Sequence, residues 1–249
     1  MAEPILEVQN VRKTFGGVAA VDGVSFALPA GEIRALIGPN GAGKTTFFNI
    51  LTGQLAADQG AVRFRGRPIA GLSPWAIWRL GISRTFQITA TFATLTVLEN
   101  VQVARLSHVG KSRAPITPAV RLEVGPAVAL LKQVGLVDQR FRPAGVLAYG
   151  DLKKLELAIA LANDPALLLL DEPTAGMAPA ERGALMGLTA TIARERGLTV
   201  LFTEHDMDVV FATADRIMVL HQGRVIADGL PADVRADSQV QAVYLGDDL

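Results

Sequence analysis

Residues 38–45 read Gly-Pro-Asn-Gly-Ala-Gly-Lys-Thr and match the pattern G-x-x-x-x-G-K-[ST]. The glycines of this pattern let successive backbone N–H groups curl around an anion without Cβ clashes. The stretch follows the short apolar run Ile33–Ile37, a predicted strand, and precedes a helix predicted to begin near Lys44 and end about Gly53. This context predicts a phosphate-binding loop and therefore a nucleotide-binding protein.

The end of the loop carries the groups expected to interact with the charged phosphates and with Mg²⁺. The helix that follows turns its positive N-terminus towards the phosphates. Lys44 adds a point charge at the β- and γ-phosphates, and the Thr45 hydroxyl is placed to ligate Mg²⁺. The candidate nucleotide-binding residues of the loop are Gly38, Pro39, Asn40, Gly41, Ala42, Gly43, Lys44, Thr45 and Thr46.

A predicted strand that ends in two carboxylates supplies the candidate catalytic groups. Residues 167–172 read Leu-Leu-Leu-Leu-Asp-Glu. A buried strand of a parallel sheet delivers its C-terminal residues to the ligand crevice. Asp171 suits the Mg²⁺ shell through a water, and Glu172 suits orienting and deprotonating an attacking water. An ordinary solvated strand end is the alternative, which the phosphate loop makes much less favoured.

Two further polar residues follow predicted strands. His205 closes the strand Thr199–Thr203, where a histidine can hydrogen-bond a γ-phosphate and distinguish ATP from ADP. Gln87 follows the strand Ile82–Thr85, where a glutamine can ligate Mg²⁺ and contact the attacking water. Neither residue is diagnostic by itself, since a lone histidine is more often structural.

The segment 147–162 reads Leu-Ala-Tyr-Gly-Asp-Leu-Lys-Lys-Leu-Glu-Leu-Ala-Ile-Ala-Leu-Ala. It is predicted to open with a small-residue turn over 148–151 and to run into an amphipathic helix. This is a second anion-binding helix N-terminus. One chain rarely needs two of them unless the second serves a neighbouring molecule. Taken alone, the segment fits a plain core helix equally well.

Strand and helix patterns alternate on both sides of a helical stretch. Strands predicted at Ile5–Val11 and Val24–Leu28 open the chain in antiparallel order. From Thr96 to Leu161 the apolar spacing is helical, with one helix predicted over Pro118–Val134 and a flexible connection over 107–118. Strand–helix alternation resumes after this stretch. The pattern predicts an α/β fold with a mostly parallel sheet, an antiparallel β subdomain and an inserted α-helical subdomain.

Composition narrows the function classes. The 249 residues are 50% hydrophobic and 19% charged, which excludes a disordered tail and fits one large domain or two small ones. The 24 basic and 24 acidic residues cancel, which argues against generic nucleic-acid binding, since such binding needs a basic face. The absence of cysteine excludes disulfides, thiolate zinc sites and cysteine nucleophiles together.

Mean hydropathy is high at +0.32, which raises the question of a membrane span. A spanning helix needs roughly 18 to 20 uninterrupted apolar residues. The best stretch, 155–170, is interrupted by Glu156, Asn163, Asp164 and Pro165. The first ten residues also lack the basic and apolar regions of a signal peptide. We therefore expect a soluble chain that is unusually apolar.

Taken together, these segments resemble the nucleotide-binding subunits of ABC transporters over essentially the whole chain. The resemblance implies a P-loop NTPase (RecA-like) fold in one nucleotide-binding domain, with residues 1–87 and 166–249 as the catalytic core and 88–165 as the helical, signature-bearing subdomain. It implies ATP and Mg²⁺ as cofactors. Two subunits would pair head to tail, each ATP lying between one phosphate loop and the partner's signature turn.

The resemblance also assigns residue roles. Phe15 is similar to the aromatic that stacks on adenine, Glu172 to the catalytic base and His205 to the switch histidine. Gln87 is similar to the hinge glutamine that couples hydrolysis to the membrane partner. The signature residues in contact with the partner's ATP would be Ala148, Tyr149, Gly150 and Asp151.

The chain departs from the family pattern in its signature and nearby. Ala148 replaces the serine whose hydroxyl normally reaches the γ-phosphate, which would leave backbone N–H groups to do that work. Asp151 replaces the usual glutamine and would bring a negative charge near ATP. Ala178 replaces an aspartate in the loop after the carboxylates, which would loosen signalling between subunits. Phe15 stands where a tyrosine is common, and stacking should survive.

The Ala-Tyr-Gly signature, with Phe15-Gly-Gly, Arg84-Thr-Phe-Gln and Tyr244-Leu-Gly, is similar to the LivG group. That resemblance implies an importer of branched-chain amino acids, or of urea, amides and related small solutes. The expected partners are a second ATP-binding subunit (a copy of this chain or a LivF-like paralogue), two transmembrane permease subunits and, indirectly, a solute-binding protein. The expected location is the cytoplasmic face of the bacterial inner membrane.

Other interpretations stay open at this point. A lipopolysaccharide exporter ATPase is the nearest alternative within transport, although it more often carries a Ser-Gly-Gly signature. ABC-type proteins of DNA repair or translation usually have two nucleotide domains, long coiled coils or zinc sites, none of which this sequence predicts. A GTPase would need a guanine-reading Asn-Lys-x-Asp, which is absent, and a small-molecule kinase would not need the signature turn.

Overall fold

The computed structural model describes residues 4–85, 91–109 and 122–245, with the side chains of residues 244 and 245 left aside. The strands are β1 (Pro4–Phe15), β2 (Val18–Pro29), β3 (Ile33–Ile37), β4 (Gln59–Phe64), β5 (Arg67–Pro68), β6 (Ile82–Thr85), β7 (Leu167–Asp171), β8 (Thr199–Thr203), β9 (Arg216–His221) and β10 (Arg224–Gly229). The helices are α1 (Lys44–Leu51), α2 (Pro74–Arg79), α3 (Val97–His108), α4 (Val124–Gln133), α5 (Tyr149–Ala160), α6 (Pro179–Arg196), α7 (Met207–Thr213), α8 (Pro231–Ala236) and α9 (Ser238–Leu245).

The larger sheet has the order β10-β9-β3-β8-β7-β6. Its β9, β3, β8, β7 and β6 run parallel, and β10 pairs antiparallel with β9 as a hairpin. Every residue of β3, β7 and β8 is buried, as expected for central parallel strands covered on both faces. Because neighbouring parallel strands end at one edge, the segments after β3, β7 and β8 meet there.

The two faces of this sheet belong to different hydrophobic clusters. Along β7, Leu167 and Leu169 pack with α1 and the antiparallel strands, whereas Leu168 and Leu170 pack with helices α3 to α6. This alternation is the period-two pattern of a strand buried on both sides. The helices after β6 therefore share a core with the sheet.

The smaller sheet has the order β2-β1-β4-β5 and is antiparallel. Its first two strands are longer than the sequence predicts, since β1 continues to Phe15 and β2 begins at Val18. The register of the pair shifts between Val8 and Val11, where Asn10 has a φ of 47°. Such a bulge breaks the strict alternation of side chains, so the alternating pattern in the sequence ends before the strand does.

The inserted helices agree with the predicted helical stretch, with one correction. The helix predicted over Pro118–Val134 begins at Val124, because Glu123 has a φ of 55° that an α-helix does not accommodate. Residues 110–118 of the predicted flexible connection lie outside the described residues, and 107–108 are the end of α3. None of the helices in the described ranges combines the length and the apolar character that crossing a bilayer requires.

The predicted fold class is confirmed: a mostly parallel α/β sheet with an antiparallel β part and inserted helices. The α1 helix follows β3 through the glycine-rich loop, as the sequence predicts. The topology also places the candidate functional residues close together. It brings the loop at 38–45, the carboxylates after β7 and the polar residues after β8 to one edge of one sheet.

Candidate nucleotide site

The glycine-rich loop lies against one strand of each sheet. A Cβ on Gly38 would lie 2.1 Å from the carbonyl oxygen of Leu220 on β9, and a Cβ on Gly43 would lie 2.0 Å from that of Ala20 on β2. Gly43 also has a φ of 104°, which L side chains rarely adopt. Both positions therefore require glycine, for close backbone approach and, at Gly43, for conformation.

The loop borders a cleft at the N-terminus of α1. Gly43 caps the helix, and no acidic residue lies in its first turn. The positive helix end therefore faces the cleft without competition from a local carboxylate. The cleft is lined by Ala20, Asn40, Gly41, Ala42, Gly43, Lys44, Thr45, Thr46 and Glu172.

Lys44 is the buried cation of this cleft. It is only 7% exposed, and its Nζ donates hydrogen bonds to the carbonyl oxygens of Gly38 at 2.5 Å and Pro39 at 3.1 Å. Burial lowers the pKa of Lys44, and the nearby charges of Glu172 and Asp171 oppose that shift. An anion entering the cleft would meet an ammonium that the carbonyls already orient.

The residues of the cleft fit a phosphate chain and a hard cation. Backbone curvature, the helix end and Lys44 match negative oxygens. The Thr45 hydroxyl and the Glu172 carboxylate, with the Asp171 carboxylate directly behind them at the end of β7, are the oxygen donors that Mg²⁺ prefers. In the described part of the chain, no three His, Cys, Asp or Glu side chains are grouped to hold a metal by themselves.

Asp171 ends β7 with its carboxylate fully engaged. Its side chain is 2% exposed, and Arg84 Nη2 lies 2.6 Å from Oδ2. The Thr203 hydroxyl donates to Oδ1 at 3.0 Å from the neighbouring strand β8. Both oxygens are therefore held in fixed positions beside the phosphate-loop helix.

Glu172 follows in an unusual backbone conformation. Its φ is 49°, in the left-handed region that costs a non-glycine residue about 1–3 kcal/mol. The Glu172 N–H is held by Thr203, with the hydroxyl at 3.0 Å and the carbonyl at 3.2 Å. The turn directs the Glu172 side chain into the cleft that Lys44 lines.

His205 contacts Glu172 directly. The His205 Nε2 lies 2.7 Å from Glu172 Oε1, and the imidazole is about half exposed. The adjacent Glu204 is buried and accepts hydrogen bonds from the N–H and the hydroxyl of Thr174 at 2.9 and 2.7 Å. The loop after β8 is therefore fixed to the loop after β7, which brings His205 and Glu172 together.

Phe15 ends β1 with its ring half exposed, and it is not among the residues that line the cleft. The Lys13 Nζ lies 5.6 Å from the ring centre and 2.6 Å from Asp58 Oδ1. Asp58 also accepts from the N–H and hydroxyl of Thr14. The hydrogen bonds from Lys13 and Thr14 lower the pKa of Asp58 to about 2. At neutral pH the Asp58 carboxylate is therefore charged, and its hydrogen bonds hold the strand end that carries Phe15.

The signature segment differs from its predicted form. Residues 149–151 are the first turn of α5 rather than a preceding turn, and Ala148 is the N-cap with no side-chain hydrogen bond. The side chain of Tyr149 is directed into its own chain, where its hydroxyl donates to the carbonyl of Ala175 at 2.9 Å. The helix start and the loop after the carboxylates are thus joined within one molecule.

Asp151 is likewise engaged within the chain. Gln139 Nε2 donates to one carboxylate oxygen at 2.6 Å, and Lys154 Nζ to the other at 2.9 Å. Partial burial raises the pKa of Asp151, but these hydrogen bonds and the charges of Lys154 and Arg142 outweigh it, and the net shift is downward. The carboxylate is therefore charged and paired with Lys154.

The structure thus brings Lys44, Thr45, Glu172 and His205 into one neighbourhood, with Asp171 directly behind them. Gln87 lies outside the described residues. Two residues near the carboxylates carry no role in the sequence interpretation, Arg84 and Thr203. The available signal for Arg84 was its position inside the predicted strand Ile82–Thr85, because an arginine in a strand of a buried sheet requires a partner for its charge. Thr203 carries no such signal.

The uncapped start of α5 leads to a first prediction. We expect Ala148→Ser to supply the missing N-cap acceptor and stabilise the fold by about 1 kcal/mol, raising the unfolding midpoint by about 2–4 °C. Thermal unfolding by circular dichroism measures this. Ala178→Ser is the matched control, since Ala178 is also an N-cap without a side-chain bond and should give a similar gain. An Ala148→Ser midpoint at or below that of the unmodified chain contradicts the helix start described above.

Two models of known protein families match this chain. The family model described as "ABC transporter" matches residues 21–175. A second model, "Branched-chain amino acid ATP-binding cassette transporter", matches residues 224–249.

Curated relatives are similar over nearly the full length. The high-affinity branched-chain amino acid transport ATP-binding protein BraF of Pseudomonas aeruginosa is 40% identical over 99% of this chain and 100% of its own. The corresponding LivG of Escherichia coli K12 is 39% identical over the same shares. A probable LivG of the archaeon Methanocaldococcus jannaschii is 32% identical, covering 98% of each chain.

Solved structures show the same architecture. An ATP-binding cassette of an ABC transporter in its ADP conformation has a TM-score of 0.88 and 33% identity, covering 98% of this chain and 100% of that one. A dimeric cassette in a post-hydrolysis state, bound to ADP and Pi, has a TM-score of 0.77 and 26% identity, covering 91% and 98%.

Proposed function

Because this chain belongs to the ABC transporter ATP-binding family, we propose that it is the subunit that hydrolyses ATP to drive a branched-chain amino acid importer. As a family member it is a nucleotide-binding ATPase that powers transport. The observation that carries the proposal is the convergence of Lys44, Thr45 and Glu172 on one cleft at the carboxyl edge of the parallel sheet. The full-length similarity to BraF and LivG proteins supports the transport role.

In the proposed site, the phosphate-binding residues are those of the loop at 38–46, and Phe15 stacks on the adenine. Mg²⁺ would be held by the Thr45 hydroxyl, by Gln87 and, through water, by Asp171, and when bound it neutralises charge on the phosphates. Glu172 accepts the proton of the attacking water. His205, which contacts Glu172 Oε1, hydrogen-bonds the γ-phosphate. The strained turn at Glu172 supports this role, since such strain clusters at functional sites.

The site is proposed to be completed by a second ATP-binding subunit. The start of α5, with Ala148, Tyr149, Gly150 and Asp151, would face the γ-phosphate bound by the partner. Because the side chains of Tyr149 and Asp151 are engaged within the chain, backbone N–H groups of this helix start would make the contact. The similarity to a dimeric cassette bound to ADP and Pi supports the pairing. The second subunit is a copy of this chain or a LivF-like paralogue.

The domain organisation and the remaining partners follow from the proposed role as an importer ATPase. We propose that residues 1–87 and 166–249 form the catalytic core and that 88–165 form the helical part of a single nucleotide-binding domain. Two transmembrane permease subunits would receive the motion of the helical part, with a solute-binding protein delivering the solute outside. The chain would then work at the cytoplasmic face of a bacterial inner membrane. Neither the site nor the near-neutral charge favours a nucleic-acid partner.

Reconstitution tests the solute class. The chain is combined in proteoliposomes with its paralogue, permease subunits and binding protein from the same genome. We expect ATP hydrolysis to rise when the binding protein carries leucine, isoleucine or valine, because loaded binding protein triggers the cycle. The unloaded binding protein is the control. Stimulation by urea or short amides but not by leucine would indicate that the chain serves a related importer of those solutes. Hydrolysis that responds to lipopolysaccharide instead would make it an exporter subunit.

A further inference from the structure

A buried arginine contacts the carboxylate proposed for the Mg²⁺ shell. Arg84 lies on β6 and Asp171 ends the neighbouring parallel strand β7. Arg84 Nη2 lies 2.6 Å from Asp171 Oδ2, and the two side chains are 7% and 2% exposed. Water does not screen an ion pair at this depth, so removing one partner leaves the other as an uncompensated buried charge.

The same guanidinium reaches the helix of the phosphate loop. Arg84 Nη1 donates to Asn49 Oδ1 on α1 at 2.7 Å and contacts Oγ1 of Thr52, the C-cap residue of α1, at 3.4 Å. The guanidinium carbon lies 5.6 Å from the ring centre of Phe48, also on α1. One side chain therefore connects β6, the end of β7 and the helix that begins at Lys44.

We propose that Arg84 is a positioning residue for Mg²⁺-dependent ATP hydrolysis, which fixes the Asp171 carboxylate relative to the phosphate-loop helix. Thr203 holds Oδ1 and Arg84 holds Oδ2, so the carboxylate cannot rotate. The fork geometry of arginine is needed, since two nitrogens must reach acceptors on different elements. The proposal rests on the proposed ATPase function and deepens it.

The chain contains a matched control in Arg34 on β3. Arg34 is also buried, with 4% of its side chain exposed, and lies 2.6 Å from Glu32 and 3.1 Å from Asp228. Its guanidinium carbon lies 5.7 Å from the ring centre of Phe26. Arg34 thus resembles Arg84 in burial, ion pairing and aromatic contact. Neither it nor its partners are among the residues that line the cleft.

The experiment compares Arg84→Met with Arg34→Met in the full chain. Thermal unfolding at saturating ATP, followed as Mg²⁺ is titrated, gives the Mg²⁺ concentration for half-maximal stabilisation without relying on turnover. Hydrolysis is measured over the same titration, and ATP binding in EDTA by calorimetry. We expect Arg84→Met to raise the Mg²⁺ midpoint by about tenfold, since a hydrogen bond to a charged group is lost. ATP binding in EDTA should stay within about twofold.

Arg34→Met should lower the unfolding midpoint but leave the Mg²⁺ midpoint unchanged. Equal Mg²⁺ midpoints in Arg84→Met and Arg34→Met would overturn the proposal. If Arg84→Met does not fold, Arg84→Lys replaces it, because lysine keeps the charge but cannot contact Asn49 and Asp171 together. An Arg84→Lys midpoint equal to that of the unmodified chain would then overturn the positioning role.

A double-mutant cycle with Asp171→Asn separates this inference from the proposed function. If Arg84 acts through Asp171, Arg84→Met adds less than about twofold to the Mg²⁺ midpoint of Asp171→Asn. Full additivity shows that Arg84 acts elsewhere and overturns the inference while the ATPase assignment stands. An unmodified chain without Mg²⁺-dependent ATP binding or hydrolysis would instead remove the proposed function itself.

Discussion

Glu172→Gln is expected to bind ATP with nearly unchanged affinity and to hydrolyse it about 10² to 10⁴ times more slowly. Glutamine keeps the size and the backbone strain of Glu172 but cannot accept a proton from the attacking water. Its amide can still contact His205, so the geometry of the cleft is retained. Because hydrolysis is what separates the two subunits in the proposed cycle, the variant should accumulate as an ATP-bound dimer.

Phosphate release and size-exclusion chromatography with light scattering measure the two effects. Glu195→Gln is the control, since it removes the same charge from an exposed position on α6 and should change neither. Normal turnover in Glu172→Gln would exclude Glu172 as the base. Loss of turnover together with a lowered unfolding midpoint would point to a structural role of the carboxylate instead.

Lys44→Ala is expected to weaken ATP binding by about 10- to 100-fold, because a charge-assisted contact to the phosphates is removed from a buried position. Burial has already lowered the pKa of Lys44, so part of its desolvation cost is met before nucleotide arrives. The two carbonyls of Gly38 and Pro39 hold the ammonium in place for the same purpose. Calorimetric titration of the isolated chain with ATP and Mg²⁺ gives the affinity.

Lys153→Ala is the matched control, since Lys153 is equally buried and lies 3.1 Å from Glu156 on α5. It should lower stability and leave the ATP affinity of the isolated chain intact. If both lysine variants lose affinity equally, the effect of Lys44→Ala comes from general unfolding and the phosphate-loop assignment loses its support.

The limits of three strands of the larger sheet could be predicted to the residue. The predicted limits of β3, β6 and β8 agree with those observed, and β3 and β8 are short, mostly apolar runs. The long strands β1 and β2 could not, since their bulges depend on pairing across the sheet and interrupt the side-chain alternation. Side-chain periodicity is a property of one strand, whereas register depends on how two strands of the chain pair.

The candidate site likewise has a part that could be predicted from the sequence and a part that could not. The phosphate loop and the carboxylates after β7 are contiguous in sequence, and their chemistry can be read from residue type and order. The contacts of Asp171 with Arg84 and Thr203 join residues 87 and 32 positions apart. Tyr149 shows the same effect: its type fits a ligand contact, but its hydroxyl is used by Ala175. Side-chain partners across elements depend on packing, which local pattern does not encode.

The alternating leucines of β7 have a consequence for how the protein unfolds. Leu167 and Leu169 belong to the core beneath α1, and Leu168 and Leu170 to the core beneath the inserted helices. The five-residue strand β7 is thus part of a wall shared by both cores, to which β3, β8 and β9 also contribute alternate side chains. Opening either core removes the side-chain packing from one face of this strand, so we expect the helical segment and the nucleotide-binding half to unfold as one cooperative unit. Hydrogen exchange in β7 would report the global stability of the chain.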